Sequence, residues 1–372
     1  MESFAYRNGR LFAEDVAVAE LAERYGTPLF IYSRSYIQAH FRALKEAMAE
    51  VRPLICYAVK VNSNAGVIAT LAAEGAGADV VSAGELLRAR RAGIPADKIT
   101  FAGVGKTEDE IDAALRENIL LFTVESEPEL DRISARATRM GVTGRIAIRV
   151  NPDVDPKTHK YISTGKKENK FGVDILRALQ IYERAAKLPG LEIAGPHMHI
   201  GSQILSAQPY AEAAEKVAHV CRQLKTRHPT FRMLDIGGGL GIRYRPDQEP
   251  LLPKTFADAV VPILKPLGVQ ILMEPGRFIV GNAGLLVTRV QYVKQGPSKQ
   301  FLIVDAAMND LIRPPLYQAH HEISAVTQTS ETVFGDVVGP VCESGDFLAL
   351  DRDLPAANQG DQLAEHSAES YA

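Results

Sequence analysis

The chain has 372 residues, of which 46% are hydrophobic and 23% charged, with a formal net charge of −3. This balance is typical of a globular protein with a large core, and the length favours two domains. The slight negative charge argues against nucleic acid as a partner, and no apolar run approaches the ~18 residues of a membrane-spanning helix.

The N-terminal 20 residues mix charges and lack an apolar segment, so no secretory signal is expected. The three cysteines are too scattered for a disulfide framework, which favours a reducing cytoplasm. From about residue 50, apolar runs alternate with longer segments of helical period. Nearly continuous apolar runs are typical of strands covered on both faces, and eight of them favour a closed (β/α)8 barrel over an open sheet. The predicted strands are 54–60, 78–82, 98–103, 119–124, 145–150, 191–200, 231–237 and 269–275.

The alternation ends near residue 277. The sequence that follows is β-rich, is punctuated by Gly and Pro, and has little helical period. It predicts a second, mainly β domain, either a sandwich or a barrel. We expect an N-terminal segment 1–30 that joins this domain, a barrel over 31–276 and the β domain over 277–372.

Polar and glycine-rich residues follow most of the predicted barrel strands. Each has an ordinary explanation by itself: a solvated lysine, a capping histidine, glycines that turn a corner, or an ion pair between Arg149 and Asp79. Their convergence on the C-terminal rim of one barrel favours a functional site. The residues concerned are Lys60, Asp79, Ser82, Arg149, His199, Ser202, Asp235, Gly237, Gly238, Gly239, Glu274, Pro275, Gly276 and Arg277.

The glycines after strands seven and eight indicate an anionic ligand, because backbone N–H groups can approach an anion closely where side chains are absent. Barrels often bind phosphate at these two loops. A phosphate site, a lysine that can bond an aldehyde and a carboxylate opposite it are the parts of a pyridoxal phosphate (PLP) site. Glu274 is the carboxylate expected to keep the pyridine nitrogen protonated, and His199 could stack on the ring.

These residues lie in motifs that resemble one family. Tyr57-Ala-Val-Lys60-Val-Asn62 is similar to the YAVKAN motif of barrel-type PLP decarboxylases, which have an alanine racemase-like fold. The segments 149–152, 170–172, 197–203, 234–239 and 274–277 match in order and spacing. The resemblance implies that Lys60 carries PLP, that His199 stacks on it and that Glu274 pairs with its ring nitrogen. It also implies that Ser202 and the glycines hold the phosphate, with Asp79, Arg149, Arg277 and Tyr371 nearby.

Segments 308–317 and 342–346 resemble the diaminopimelate branch of that family. The resemblance implies decarboxylation of meso-2,6-diaminopimelate to L-lysine and CO2, the last step of lysine biosynthesis, in a cytoplasmic homodimer without a metal. Cys342 would act near the reacting carbon from the partner subunit, and either Cys342 or Lys60 would return the proton. The residues implied at the substrate's far end are Arg277, Arg313, Tyr317, Glu343 and Tyr371.

Alternative functions remain open at this stage: an ornithine or arginine decarboxylase, a PLP-binding relative without catalysis, or an alanine racemase. Arg313 alone could form a surface ion pair, and Cys342 alone could be an inert buried thiol. Val61 and Ala307 depart from the family pattern, which has Ala and usually Gly there. The last strands of the family's β domain are not recognisable after Tyr371, so a truncated β domain is expected.

Overall fold

The computed structural model describes residues 3–155, 170–368 and 370–371. The contacts divide the chain into two compact units, of which the first, called the barrel unit, comprises His40–Ile242 and Pro250–Phe278. The second, called the β unit, comprises Met1–Ala39, Arg243–Glu249 and Ile279–Ala372. The domain boundaries given above stay a prediction. In the described part of the chain, no helix is both long and apolar enough to cross a bilayer.

The described elements follow one another as an alternation of strands and helices, with mainly strands at both ends. The strands are β1 (Phe4–Arg7), β2 (Arg10–Ala13), β3 (Val16–Ala17), β4 (Leu29–Tyr32), β5 (Leu54–Ala58), β6 (Gly77–Val80), β7 (Ile99–Phe101), β8 (Leu121–Val124), β9 (Gly144–Asn151), β10 (Val173–Asp174), β11 (Leu191–His197), β12 (Met233–Asp235), β13 (Gln270–Met273), β14 (Gly284–Gln295), β15 (Gln300–Val304), β16 (Ile323–Ala325), β17 (Thr332–Val338), β18 (Phe347–Pro355) and β19 (Gln362–His366). The helices are α1 (Val18–Tyr25), α2 (Arg34–Ala47), α3 (Ala65–Ala73), α4 (Ala83–Arg91), α5 (Glu108–Glu117), α6 (Glu127–Met140), α7 (Ile175–Ala185), α8 (Gln208–Arg227), α9 (Pro253–Leu264), α10 (Arg277–Val280) and α11 (Arg313–Tyr317).

The barrel unit contains a closed parallel sheet of eight strands, as predicted. The hydrogen-bonded order is β5, β6, β7, β8, β9, β11, β12 and β13, and β13 pairs with β5 to close the barrel. Strands β6, β7, β8 and β12 are buried along their whole length. That burial explains why their sequences are continuous apolar runs rather than alternating ones.

Helix caps place the helices directly after the strand ends. Thr107 begins α5 with a capping box, in which its hydroxyl accepts from the Glu110 N–H and the Glu110 carboxylate accepts from the Thr107 N–H. Ser82 begins α4 by accepting from the Glu85 N–H at 3.2 Å. The side chain of Ser82, expected at the rim, therefore caps a helix.

The β unit is mainly β, as predicted. Its larger sheet has seven strands, in the order β16, β19, β14, β15, β17 and β18, with β4 also paired to β14. The N-terminal strand β4 thus joins the sheet that the C-terminal sequence builds. A smaller sheet consists of β1, β2 and β3. A cluster of buried aliphatic side chains fills this unit, including Leu286, Leu302, Val337, Leu348 and Leu363.

One buried acid stands out in the β unit. Glu365 on β19 is fully buried, and neither carboxylate oxygen has a hydrogen-bond partner among the described residues. Burial raises the pKa of Glu365 to about 8, although Arg352 opposes the rise. The carboxyl group therefore carries a proton at neutral pH in the folded chain.

We predict that Glu365→Gln stabilises the protein increasingly as the pH rises from 5 to 8. The folded pKa is raised, so the unfolded chain ionises Glu365 first and wild-type stability is lost as the pH rises toward the folded pKa. The difference in unfolding free energy between Glu365→Gln and the wild type should reach a few kcal/mol near pH 8, since one pKa unit is worth about 1.4 kcal/mol. Urea unfolding midpoints at several pH values test this, with the exposed Glu331→Gln as control. A difference that does not change with pH would contradict the assignment.

Candidate active site

The register of the barrel brings the predicted polar residues to one rim. Ala58 at the end of β5 lies beside Asp79 on β6, and Arg149, His197 and Asp235 lie in register on β9, β11 and β12. Parallel strands end at the same edge of a barrel, so residues far apart in sequence become neighbours there.

Lys60 lies in a short 3-10 turn directly after β5 and pairs with Asp79. Its Nζ lies 2.5 Å from Asp79 Oδ2, with 38% of the lysine side chain exposed and the aspartate side chain fully buried. Burial raises the pKa of Asp79 to about 7, repulsion from Glu274 adds to the rise, and Lys60 opposes it. The lysine side chain is thus partly exposed to solvent, while its amine is held by the buried aspartate.

His199 follows β11 with its ring held in one tautomer. The Gly238 N–H donates to Nδ1 at 3.2 Å, so the ring proton belongs on Nε2. The ring is partly exposed, yet desolvation lowers its pKa well below the usual value, and Arg149 lowers it further. A neutral imidazole can lie flat against a cationic ring without charge repulsion.

Arg149 does not form the ion pair with Asp79 that an ordinary structural explanation predicts. It pairs instead with Glu125 at 3.0 Å, donates to the carbonyl of His199 at 3.3 Å and lies over Phe171 at 4.7 Å. Glu125 also accepts from the Gly172 N–H at 2.8 Å. Through these contacts Arg149 connects the loops that follow β8, β9 and β11.

The glycine loop after β12 packs against the loop after β13. A Cβ on Gly238 would lie 2.1 Å from the carbonyl oxygen of Glu274, so no other residue fits. The Gly239 carbonyl accepts from the Ile204 N–H at 3.0 Å. This close backbone approach leaves the loop without side chains that could exclude a phosphate.

The segment after β13 completes the rim. The Pro275 carbonyl accepts from the Ala58 N–H at 3.2 Å. A Cβ on Gly276 would lie 2.3 Å from Val61 Cγ2, so the valine packs directly against that glycine. Arg277 is buried, and its Nε lies 3.4 Å from Ser202 Oγ.

A buried cluster that the sequence analysis did not predict surrounds Glu274. His197 Nε2 lies 3.1 Å from Glu274 Oε2. A ring nitrogen of His197 and one carboxylate oxygen each of Asp235 and Glu274 lie within 4.8 Å of one another. Asp235 Oδ1 accepts from the Gly237 N–H at 2.8 Å. From the sequence, Asp235 was expected only at a strand end, and His197 had no predicted role.

Two residues predicted at the substrate lie in α11 of the β unit. Arg313 is 7% exposed, so it does not form a surface ion pair. It donates to His321 Nε2 at 3.0 Å and lies over the Tyr244 ring at 4.5 Å. Burial lowers the pKa of His321 to about 3, and Arg313 lowers it further, so His321 is neutral and acts as acceptor. Tyr317 lies four residues after Arg313, on the same face of the helix.

Cys342 and Glu343 lie in an exposed loop of the β unit, so Cys342 is not an inert buried thiol. The buried carboxylate of Asp346 shapes this loop, because it accepts from the N–H groups of Met308 at 2.6 Å and Val341 at 2.7 Å. Tyr371 is half-buried near the end of the described residues.

The residues of the barrel unit fit PLP. Lys60 offers an amine for the aldehyde, neutral His199 a flat face, and the glycine loop a close approach for the phosphate. Burial raises the pKa of Glu274, but His197 and Lys60 together outweigh that effect and hold the pKa well below its usual value. Glu274 is therefore an anion, as a protonated ring nitrogen requires.

Comparison with known proteins agrees with this fit. Residues 34–281 match the family described as pyridoxal-dependent decarboxylase, pyridoxal binding domain. A diaminopimelate decarboxylase of Aquifex aeolicus is 51% identical over 98% of this chain and 87% of its own length. The predicted cofactor and enzyme class are thereby confirmed.

Solved structures agree as well. The diaminopimelate decarboxylase of Helicobacter pylori in complex with L-lysine has a TM-score of 0.91 and 44% identity, covering 95% of this chain and 89% of its own. That of M. jannaschii in co-complex with L-lysine has a TM-score of 0.93 and 36% identity, covering 99% and 88%. The chain therefore belongs to the diaminopimelate decarboxylase family of PLP-dependent enzymes.

Proposed function

We propose that this chain decarboxylates meso-2,6-diaminopimelate to L-lysine and CO2, the last step of lysine biosynthesis. The observation that carries the proposal is the convergence of Lys60, Asp79, His199 and Glu274 on one barrel rim. Relatives that match nearly the whole chain are named diaminopimelate decarboxylase. The motifs at 308–317 and 342–346 favour this substrate over ornithine or arginine. The predicted cytoplasmic location stays a prediction.

PLP, when bound, supplies a protonated ring that accepts the electron pair left when the carboxyl group departs as CO2. Lys60 would carry the cofactor, and Asp79 would hold its ammonium whenever the lysine is released. Their 2.5 Å contact supports this role. Glu274 would face the ring nitrogen, and its negative charge would keep the nitrogen protonated.

The rest of the rim would orient the cofactor. Neutral His199 would lie against the ring, since the Gly238 N–H already fixes its orientation. Gly239, Gly276 and Ser202 would hold the phosphate, because the N–H groups of Gly237 and Gly238 already donate to Asp235 and His199. Arg149 is bound to Glu125, so we assign it the support of His199 through the 3.3 Å contact with the His199 carbonyl.

The β unit would select the substrate. Diaminopimelate has an amino acid group at each end, so the site must bind one end while the other loses CO2. Arg313 would bind the far carboxylate, because its planar guanidinium forms two parallel hydrogen bonds with a carboxylate. Arg277 and Tyr317 would also bind the far carboxylate, with Tyr371 nearby. Glu343 would bind the far amino group.

A homodimer would complete the site. Cys342 lies in an exposed loop that Asp346 holds in shape, which suits a residue offered to a partner subunit's site. Either Cys342 or Lys60 would return the proton to the reacting carbon.

We predict that borohydride reduction of the purified enzyme attaches a pyridoxyl group to Lys60. The amine is reachable at the rim, whereas Lys106 is buried and bound to Glu129 at 2.6 Å. Peptide mapping by mass spectrometry decides the site, and Lys106 is the internal control. Modification of Lys106, or of no lysine, would refute the cofactor assignment.

We also predict that Arg313→Ala lowers kcat/KM for diaminopimelate by ~1,000-fold or more, because the far carboxylate then enters a buried site without a partner. Cofactor absorbance should stay unchanged. CO2 release from diaminopimelate, lysine, ornithine and arginine should be compared, with the exposed Arg24→Ala as control. Comparable wild-type rates on ornithine or arginine would overturn the substrate assignment.

A further inference from the structure

The cluster of His197, Asp235 and Glu274 holds three ionisable groups with almost no access to water. We propose that His197 is a positioning residue that holds Glu274 as the anion facing the cofactor's ring nitrogen, by a hydrogen bond from His197 Nε2. The inference rests on the proposed function, in which Glu274 faces that nitrogen. It assigns a role to the first histidine of the motif, whereas the resemblance used only the second.

The direction of the hydrogen bond follows from the surroundings of the ring. His197 is 1% exposed, and its Nδ1 has no hydrogen-bond partner among the described residues. A proton on Nδ1 would be a buried donor without an acceptor, and Nε2 would then turn a lone pair toward a carboxylate 3.1 Å away. A proton on Nε2 avoids both costs. The geometry therefore makes His197 the donor and Glu274 the acceptor.

The cluster also decides which of two carboxyl groups is charged. Burial raises the pKa of Asp235 well above its usual value, and Glu274 raises it further. Asp235 Oδ2 has no other hydrogen-bond partner among the described residues, and the Asp235 side chain contacts that of Glu274. Burial would raise the pKa of Glu274 as well, but His197, with a smaller contribution from Lys60, reverses the direction. The two neighbouring carboxyl groups are thus an acid and a carboxylate, and the carboxylate is the one that His197 contacts.

Thr100 and Lys60 do not replace this hydrogen bond. Thr100 Oγ lies 3.5 Å from Glu274 Oε1, which is the limit of a hydrogen bond. Lys60 also lowers the Glu274 pKa, but less than His197 does. Without the His197 donor, Glu274 becomes a stronger base and competes with the ring nitrogen for the shared proton. The electron-accepting form of the cofactor is then depleted.

Two variants with the same amide group but different reach test the proposal. In His197→Gln the amide nitrogen can occupy the place of Nε2, whereas in His197→Asn it reaches only the place of Nδ1. We expect Gln to keep the ring nitrogen protonated and Asn to lose that proton, with kcat lower by about 10-fold or more. The probe is PLP labelled with ¹⁵N at the ring nitrogen and bound to each holoenzyme, read by its NMR chemical shift. Exposed His219→Gln is the control.

Equal ring-nitrogen shifts in the Gln and Asn variants would overturn the proposal. If the Asn variant does not fold, ¹⁵N-histidine spectra of the wild-type holoenzyme decide, with His197 assigned by its loss in the Gln variant: a proton on Nδ1 and none on Nε2 overturns it. A stoichiometric metal ion, whose removal by a chelator changes the shift, would also overturn it. Failure of the proposed function is distinguishable, since CO2 release would then be low in every variant while the ring-nitrogen signals still differ.

Discussion

Glu274 must stay ionised at a place where water hardly reaches it. An isolated buried carboxylate takes up a proton rather than bear the loss of hydration. Here the residue is 7% exposed, and a second buried carboxyl group, Asp235, lies beside it. His197 at 3.1 Å, together with Lys60, offsets that cost for Glu274. The proposed protonation of the ring nitrogen, and with it the proposed loss of CO2, depends on this charge.

The barrel supplies the geometry that this charge requires. His197, Asp235 and Glu274 stand at the ends of β11, β12 and β13, which are consecutive neighbours in the closed sheet. The glycine loop after β12 allows the backbone of Glu274 to approach, since a Cβ on Gly238 would lie 2.1 Å from the Glu274 carbonyl oxygen. The same loop orients His199 through the Gly238 N–H. One short loop thus positions both His199 and Glu274, the residues that we propose stack on the ring and pair with its nitrogen.

Much of the barrel could be predicted from the sequence, because strands that are buried on both faces have continuous apolar sequences. All eight apolar runs became barrel strands, and the residues that follow them became the rim. Partnerships were harder to predict. The ordinary explanation paired Arg149 with Asp79, but Arg149 pairs with Glu125, an acid directly after β8 whose position was the available signal. The role of Asp346 in shaping the Cys342 loop was also missed, because nothing in a sequence shows which backbone N–H groups a buried carboxylate will accept from.

The account is tested most directly by kcat for CO2 release from meso-diaminopimelate by Glu274→Gln, measured with the bound PLP quantified in the same sample. A neutral amide keeps the shape of the side chain but cannot keep the ring nitrogen protonated. We expect PLP to bind and kcat to fall at least ~100-fold, or about 2.7 kcal/mol of transition-state stabilisation. Near-normal turnover with full PLP occupancy would contradict the role given to the charge of Glu274.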